Sequence, residues 1–153
     1  YILNGDSAWF IDYPKKMIVP ITGDLLQQIK TLFRLGDPDD SYQDLFAQVE
    51  LKLTKIGDNE YYKMICYSKI KDQPPYILYI GKHNFLLHRI TIPAPRNYSS
   101  TVLRYGLYEG VMIPEETESD NDGVVERSKI NFNKLNAEID PAEFLPPVFP
   151  PGE

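Results

Sequence analysis

The stretch VELKLTKIGDNEYYKMIC, residues 49–66, decides the reading of the whole chain. Val49, Leu51 and Leu53 alternate with Glu50, Lys52 and Thr54, the period-two pattern of a strand with one buried and one wet face. Gly57-Asp58-Asn59 supplies a turn, and a second strand follows from Tyr61 to Ile70. In that strand Tyr62, Met64 and Cys66 fall on one side, Ile65 and Tyr67 on the other. A strand apolar on both sides needs cover on both faces, or a cavity on one.

Toward the C-terminus the same period continues. Pro74-Pro75 ends a loop, and Tyr76–Ile80 reads as a further two-faced apolar strand. Leu86–Ile92, Val102–Tyr108, Val111–Thr117 and Val124–Ile139 follow, with tight turns at Glu109-Gly110 and Asp120–Gly123. The last of these segments is long for one strand and is expected to bend near Asn133-Lys134. Short connections between consecutive strands imply antiparallel pairing. Residues 146–153 form a Pro-rich tail.

Toward the N-terminus, Tyr1–Leu3 and Ala8–Ile11 flank Asn4-Gly5-Asp6, a hairpin turn signal because such turns require positive φ. Pro14-Lys15-Lys16 turns the chain into Met17–Val19. Tyr1–Asn4 already reads as a strand, so further strands or a helix are expected ahead of it. Thr22 reads as a helix N-cap, with Asp24 favourable in the first turn. Leu25, Leu26, Ile29, Leu32 and Phe33 fall at helical spacing and make one apolar stripe. Gly36 and Pro38 mark its end, and a one-turn helix is expected around Tyr42–Phe46.

A length of 153 residues suits one domain, taken as residues 1–145. No run approaches the ~18 consecutive apolar residues of a membrane span. Sixteen Lys+Arg against 22 Asp+Glu leave a net charge of −6, which gives no general attraction to nucleic acid or anionic lipid. The single Cys excludes an internal disulfide. Eleven Tyr is unusual for this length, and Tyr suits strands that are wet on one side.

The order of these features resembles the outer-membrane lipoprotein-sorting (LolA-like) family. The resemblance rests on Tyr1-Ile-Leu-Asn-Gly-Asp-Ser-Ala-Trp9, then Tyr13-Pro14 and Val19-Pro20. Ile21-Thr22-Gly23-Asp24-Leu25 through Ile29-Lys30, Ser41-Tyr42 and Tyr62-Lys63-Met64 continue it. Tyr76–Ile80, Leu86-Leu87-His88-Arg89, Gly110-Val-Met-Ile-Pro114 and Asn136–Asp140 with Phe144 complete it. The family's first helix and first strands have no counterpart here, and Gly81-Lys82-His83-Asn84 departs from its usual turn. The resemblance implies a mainly β (α+β) chain: a half-open antiparallel β-barrel or curved sheet with a helical lid and an apolar interior. It also implies a periplasmic, non-enzymatic carrier of lipoprotein acyl chains or another apolar lipid. Inner- and outer-membrane donor and acceptor proteins are the partners such a carrier would have. The other function that goes with this architecture is a periplasmic sensor or protein-interaction module with no mobile ligand.

The residues themselves point to no cofactor, no metal and no catalytic set. His83 and His88 are five apart with no third ligand at metal spacing. Cys66 has no neighbouring base and reads as a small buried hydrophobe. Asp37, Asp39 and Asp40, and Asp120 with Asp122, lack the spacing of a calcium loop. The helix stripe has two readings, packed core or a lid over an apolar cavity. The ligand-binding reading takes Leu25, Leu26, Ile29, Leu32 and Phe33 with Trp9, Phe10, Tyr62, Met64, Tyr76 and Leu78. An acyl chain of sixteen carbons, fully buried at about 0.8 kcal/mol per CH₂, would gain on the order of 12 kcal/mol. A carrier must release its cargo, so shallow burial is expected.

Overall fold

The computed structural model describes residues 1–35, 40–131 and 138–149. They form two compact units, one made of the described residues within 1–40 and 138–149, the other of those within 41–131.

In the first unit, β1 (Ile2–Asn4), β2 (Ser7–Asp12) and β3 (Met17–Ile21) pair in that order as an antiparallel sheet. Gly5 takes φ +55° in the β1–β2 turn, the conformation for which the Asn-Gly sequence is suited. Ala8 lies opposite Ile21, and both are buried. The helix α1 spans Gly23–Arg34. Thr22 occupies its N-cap position, but its hydroxyl makes no capping bond. Asp24 in the first turn and Arg34 in the last complement the helix dipole. Arg34 Nε donates to Asp40 Oδ2 at 2.6 Å, and Lys30 pairs with Asp6. A 3-10 turn follows at Pro141–Phe144, capped by Asp140, which accepts from Ala142 N at 2.9 Å. The expected stops at Gly36 and Pro38, and the bend near Asn133-Lys134, lie outside the described residues.

In the second unit, α2 (Tyr42–Leu45) is capped by Ser41, whose Oγ accepts from Gln43 N at 3.2 Å. Seven strands follow: β4 (Gln48–Ile56), β5 (Asn59–Tyr67), β6 (Tyr76–Gly81), β7 (Leu87–Ile92), β8 (Tyr98–Tyr108), β9 (Val111–Asn121) and β10 (Val124–Lys129). They form one antiparallel meander in sequence order, with β4 and β10 at its two edges and no further strand paired to either among the described residues. The sheet is therefore open and not closed into a barrel. β10 ends well short of Ile139. Ile130 N still donates to Glu115 O at 2.8 Å, one residue beyond the last paired position.

The pleat sorts side chains onto two faces. On one, the register places Val49 opposite Cys66 and Tyr76, and Leu51 opposite Met64, Leu78 and Ile90. Phe46 joins this face from the end of α2, with its ring 5.8 Å from that of Tyr76. Leu45, Phe46, Met64, Cys66, Tyr76, Leu78 and Ile92 are the buried hydrophobic residues of this side. On the other face, Lys52, Lys63, Tyr79, Arg89, Thr101, Glu118 and Arg127 form one cross-strand row. Leu51 and Leu53 are not buried as their alternation predicts: they are 62% and 56% exposed. An edge strand has a neighbour on one side only, so the correct face still leaves them open.

Candidate ligand-binding surfaces

The apolar stripe of α1 carries five of the expected site residues. Leu25, Leu32 and Phe33 are exposed, Phe33 at 66%, and Leu26 and Ile29 are half-buried. None of the residues of α1 is buried. The helix forms because leucines, glutamines and a basic last turn favour it. Leu25, Leu32 and Phe33 on its apolar side are left with solvent. Beside it, Leu3, Gly5, Lys30 and Arg34 line a small cavity of about 340 Å³.

Trp9 and Phe10 are consecutive on β2, so they point to opposite faces of that sheet. Trp9 is half-buried opposite Ile2 and Pro20, while Phe10 is exposed and tilts against the Tyr1 ring at 5.3 Å. The structure does not bring these two side chains onto one surface.

Tyr62, Met64, Tyr76 and Leu78 share one face of the seven-stranded sheet, because the β5–β6 register pairs Met64 with Leu78 and Cys66 with Tyr76. Met64, Tyr76 and Leu78 are covered and Tyr62 is half-buried. The Tyr62 ring stacks on Phe85 at 6.2 Å, and Phe85 is exposed. Leu51 and Leu53 extend this apolar face to the β4 edge. Phe85, Leu51 and Leu53 were not among the expected site residues. For Phe85 the available signal is an aromatic residue inside a turn, where φ reaches +57°.

A cavity of about 490 Å³ also lies in this unit, lined among others by Tyr61, Lys82, His83, His88, Arg104 and Tyr105. The Tyr61 ring stacks on His88 at 4.9 Å. Lys82 pairs with Glu60 at 2.8 Å and Arg104 with Glu115 at 2.9 Å. Tyr105 Oη donates to the Leu87 carbonyl. Burial, with the Arg89 cation adding to it, holds the His88 imidazole below its usual pKa. With its cations already paired, the cavity suits a neutral polar group or water better than a strong anion. Both histidines border it, although sequence distance gives no sign that Arg104 and Tyr105 join them.

Cys66 is fully buried, and burial pushes its thiol up to about 11. A thiol at that value is a poor nucleophile at neutral pH. Among the described residues, no group of three or more His, Cys, Asp and Glu is placed to hold a metal ion. Asp120 accepts from Gly123 N at 2.8 Å as a turn residue, while Asp37 and Asp39 lie outside the described residues. Among the described residues no helix is long and apolar enough to cross a membrane.

No family model matches the sequence, and no curated protein matches it. Two solved structures share its architecture. One is described as an outer membrane lipoprotein-sorting protein domain from Vibrio parahaemolyticus, with TM-score 0.61 and 11% identity over 93% of this chain and 65% of that one. The other is a LolA superfamily protein from Nitrosomonas europaea, with TM-score 0.52 and 12% identity over 87% of this chain and 65% of that one. The chain spans 65% of the length of each. At such identities the likeness is one of architecture, and on that ground the chain has the LolA-like fold, mainly β with an open antiparallel sheet.

Proposed function

We propose that this chain is an extracytoplasmic, non-enzymatic carrier that binds lipoprotein acyl chains or another apolar lipid. The observation that carries the reading is α1: a twelve-residue helix with an apolar stripe and no buried residue. A surface helix normally turns such a stripe inward. Here Leu25, Leu32 and Phe33 stay exposed, and an acyl chain is the partner that would cover them. The LolA-like fold supports the same ligand class. So does the sheet, whose apolar face runs from buried Leu78 out to exposed Leu51 and Leu53.

Binding on such surfaces is shallow. Partial burial of a chain worth about 0.8 kcal/mol per CH₂ keeps the affinity reversible, as a carrier requires. Donor and acceptor proteins at the inner and outer membrane are the partners this role calls for, in a periplasmic setting. The expected site residues Tyr62, Met64, Tyr76 and Leu78 belong to the inner part of the apolar face in this reading, reached only when the covered residues give way.

The test is titration with a fluorescent fatty acid, comparing wild type with Leu32→Asp and Phe33→Asp. Both positions are exposed, so the variants keep the wild-type melting temperature while uptake falls about tenfold or more. Uptake unchanged in both variants would remove α1 from the binding surface. No uptake by the wild type would favour an interaction module without a mobile ligand.

A further inference from the structure

We propose that two copies of this chain pair edge to edge through β4, antiparallel about a two-fold axis at Leu51, so that their seven-stranded sheets run on as one. Among the described residues no strand pairs with the outer edge of β4, and its nine residues pair with β5 without a bulge. Edges of this length are commonly blunted by proline, a bulge or lysines; β4 has no proline and no bulge, and its Lys52 is already paired with Glu50. On the apolar face it also carries Leu51 and Leu53, both more than half exposed. An uninterrupted edge with exposed leucines is a template for another strand.

The occupant is specified by the order of charges. A two-fold axis perpendicular to the sheet keeps each face on its own side, so residue numbers opposite each other must add to an even total. With the axis at Leu51, Leu51 meets Leu51 of the second copy. Val49 meets Leu53 of the second copy, twice over by symmetry, on the apolar face. On the polar face Glu50 meets Lys52 of the second copy, also twice. Within one chain Lys52 Nζ already lies 2.9 Å from Glu50 Oε2, so the four charges alternate in sign around the axis. Directly opposed opposite charges stabilise a strand pair and like charges oppose it. Moving the axis to Lys52 sets Lys52 against itself, and moving it to Glu50 sets Glu50 against itself. The other edge, β10, is less suited: axes at Glu126 or Arg127 each oppose a charge to its own copy.

The pairing is small in area, so its Kd is expected on the order of 100 µM. Sedimentation equilibrium of the purified chain up to ~1 mM reads it directly. The proposal expects dimers in the wild type, monomers in Glu50→Lys and in Lys52→Glu, and dimers restored when both changes are combined. Cysteine trapping fixes the register. Leu51→Cys places two thiols within the disulfide range of roughly 4.4–6.8 Å between Cα atoms. Leu53→Cys places them roughly 13 Å apart. Cys66 is fully buried and does not compete. Rapid cross-linking at position 51 and none at 53 supports the pairing. A wild type that stays monomeric overturns it, as does a dimer that neither single charge reversal weakens, or faster cross-linking at 53 than at 51.

Discussion

Leu78 lies directly opposite Met64 across the β5–β6 pair, and Leu78 is only 1% exposed. One strand further out in the same row, Leu51 is open to solvent. The row thus runs from core to edge within three strands. Leu78→Ala is expected to cost about 2–5 kcal/mol and Leu51→Ala less than about 0.5 kcal/mol. Urea unfolding of the two variants against wild type checks both, with the midpoint moving and the slope unchanged.

The His88 imidazole lies under the Tyr61 ring with its pKa below 6.5, because burial disfavours the charged form and Arg89 adds to it. The unfolded chain therefore takes up this proton first as the pH falls. Stability from this group is complete above the unfolded value of 6.5 and is lost as the pH falls from there through the folded value. The melting temperature is expected to drop between about pH 7 and pH 5. His88→Phe, which keeps a ring on Tyr61, is expected to flatten that part of the profile. An unchanged profile in the variant would remove His88 from it.

Cys66 is enclosed at the Val49–Cys66–Tyr76 row, with its thiol near 11. Alkylation by iodoacetamide at about pH 8 is expected to be slower in the folded protein than in urea by ~100-fold or more. Mass spectrometry of the timed reaction measures this. Equal rates would place Cys66 in an exposed and reactive setting.

Gly81 closes β6 beside the turn formed by residues 82–86, where Gly81 N donates to Leu86 O and Phe85 N to Gly81 O, both at 2.9 Å. A methyl group there would overlap Oδ1 of Asn84, which itself accepts from Leu86 N at 3.1 Å. Gly81→Ala is expected to cost about 1–3 kcal/mol. Combining it with Asn84→Ala is expected to cost less than the sum of the two changes, because the overlap is then gone. Additive losses in thermal unfolding would show that Asn84 is not what constrains the position.

What could be read from the sequence was local. The Asp122-Gly123 turn is visible because both residues take positive φ, the requirement that turn sequences satisfy. The stripe of α1 and its N-cap position follow from spacing alone, although the Thr22 hydroxyl goes unused there. Alternation assigned Leu51 and Leu53 to a face, but no local pattern says that β4 is an edge. β8 begins at Tyr98, ahead of the expected Val102, because Ser99, Ser100 and Thr101 are held by distant partners. Ser119, for example, donates to Ser100 Oγ at 3.2 Å. Of the expected binding residues, Tyr62, Met64, Tyr76 and Leu78 meet on one face because two adjacent strands share a register. Trp9 and Phe10 separate because they are consecutive on one strand. The cavity at Tyr61, His88 and Tyr105 is lined from four strands, β5 to β8, and two turns, and only the completed meander brings them together.

The most direct test of the carrier reading is native mass spectrometry of the chain purified from a bacterial host, followed by solvent extraction. Wild type is expected to carry an acyl-chain mass that is released by solvent and absent from a Leu32→Asp, Phe33→Asp double variant of unchanged melting temperature. A wild type that is free of lipid and takes up no added fatty acid would contradict the account.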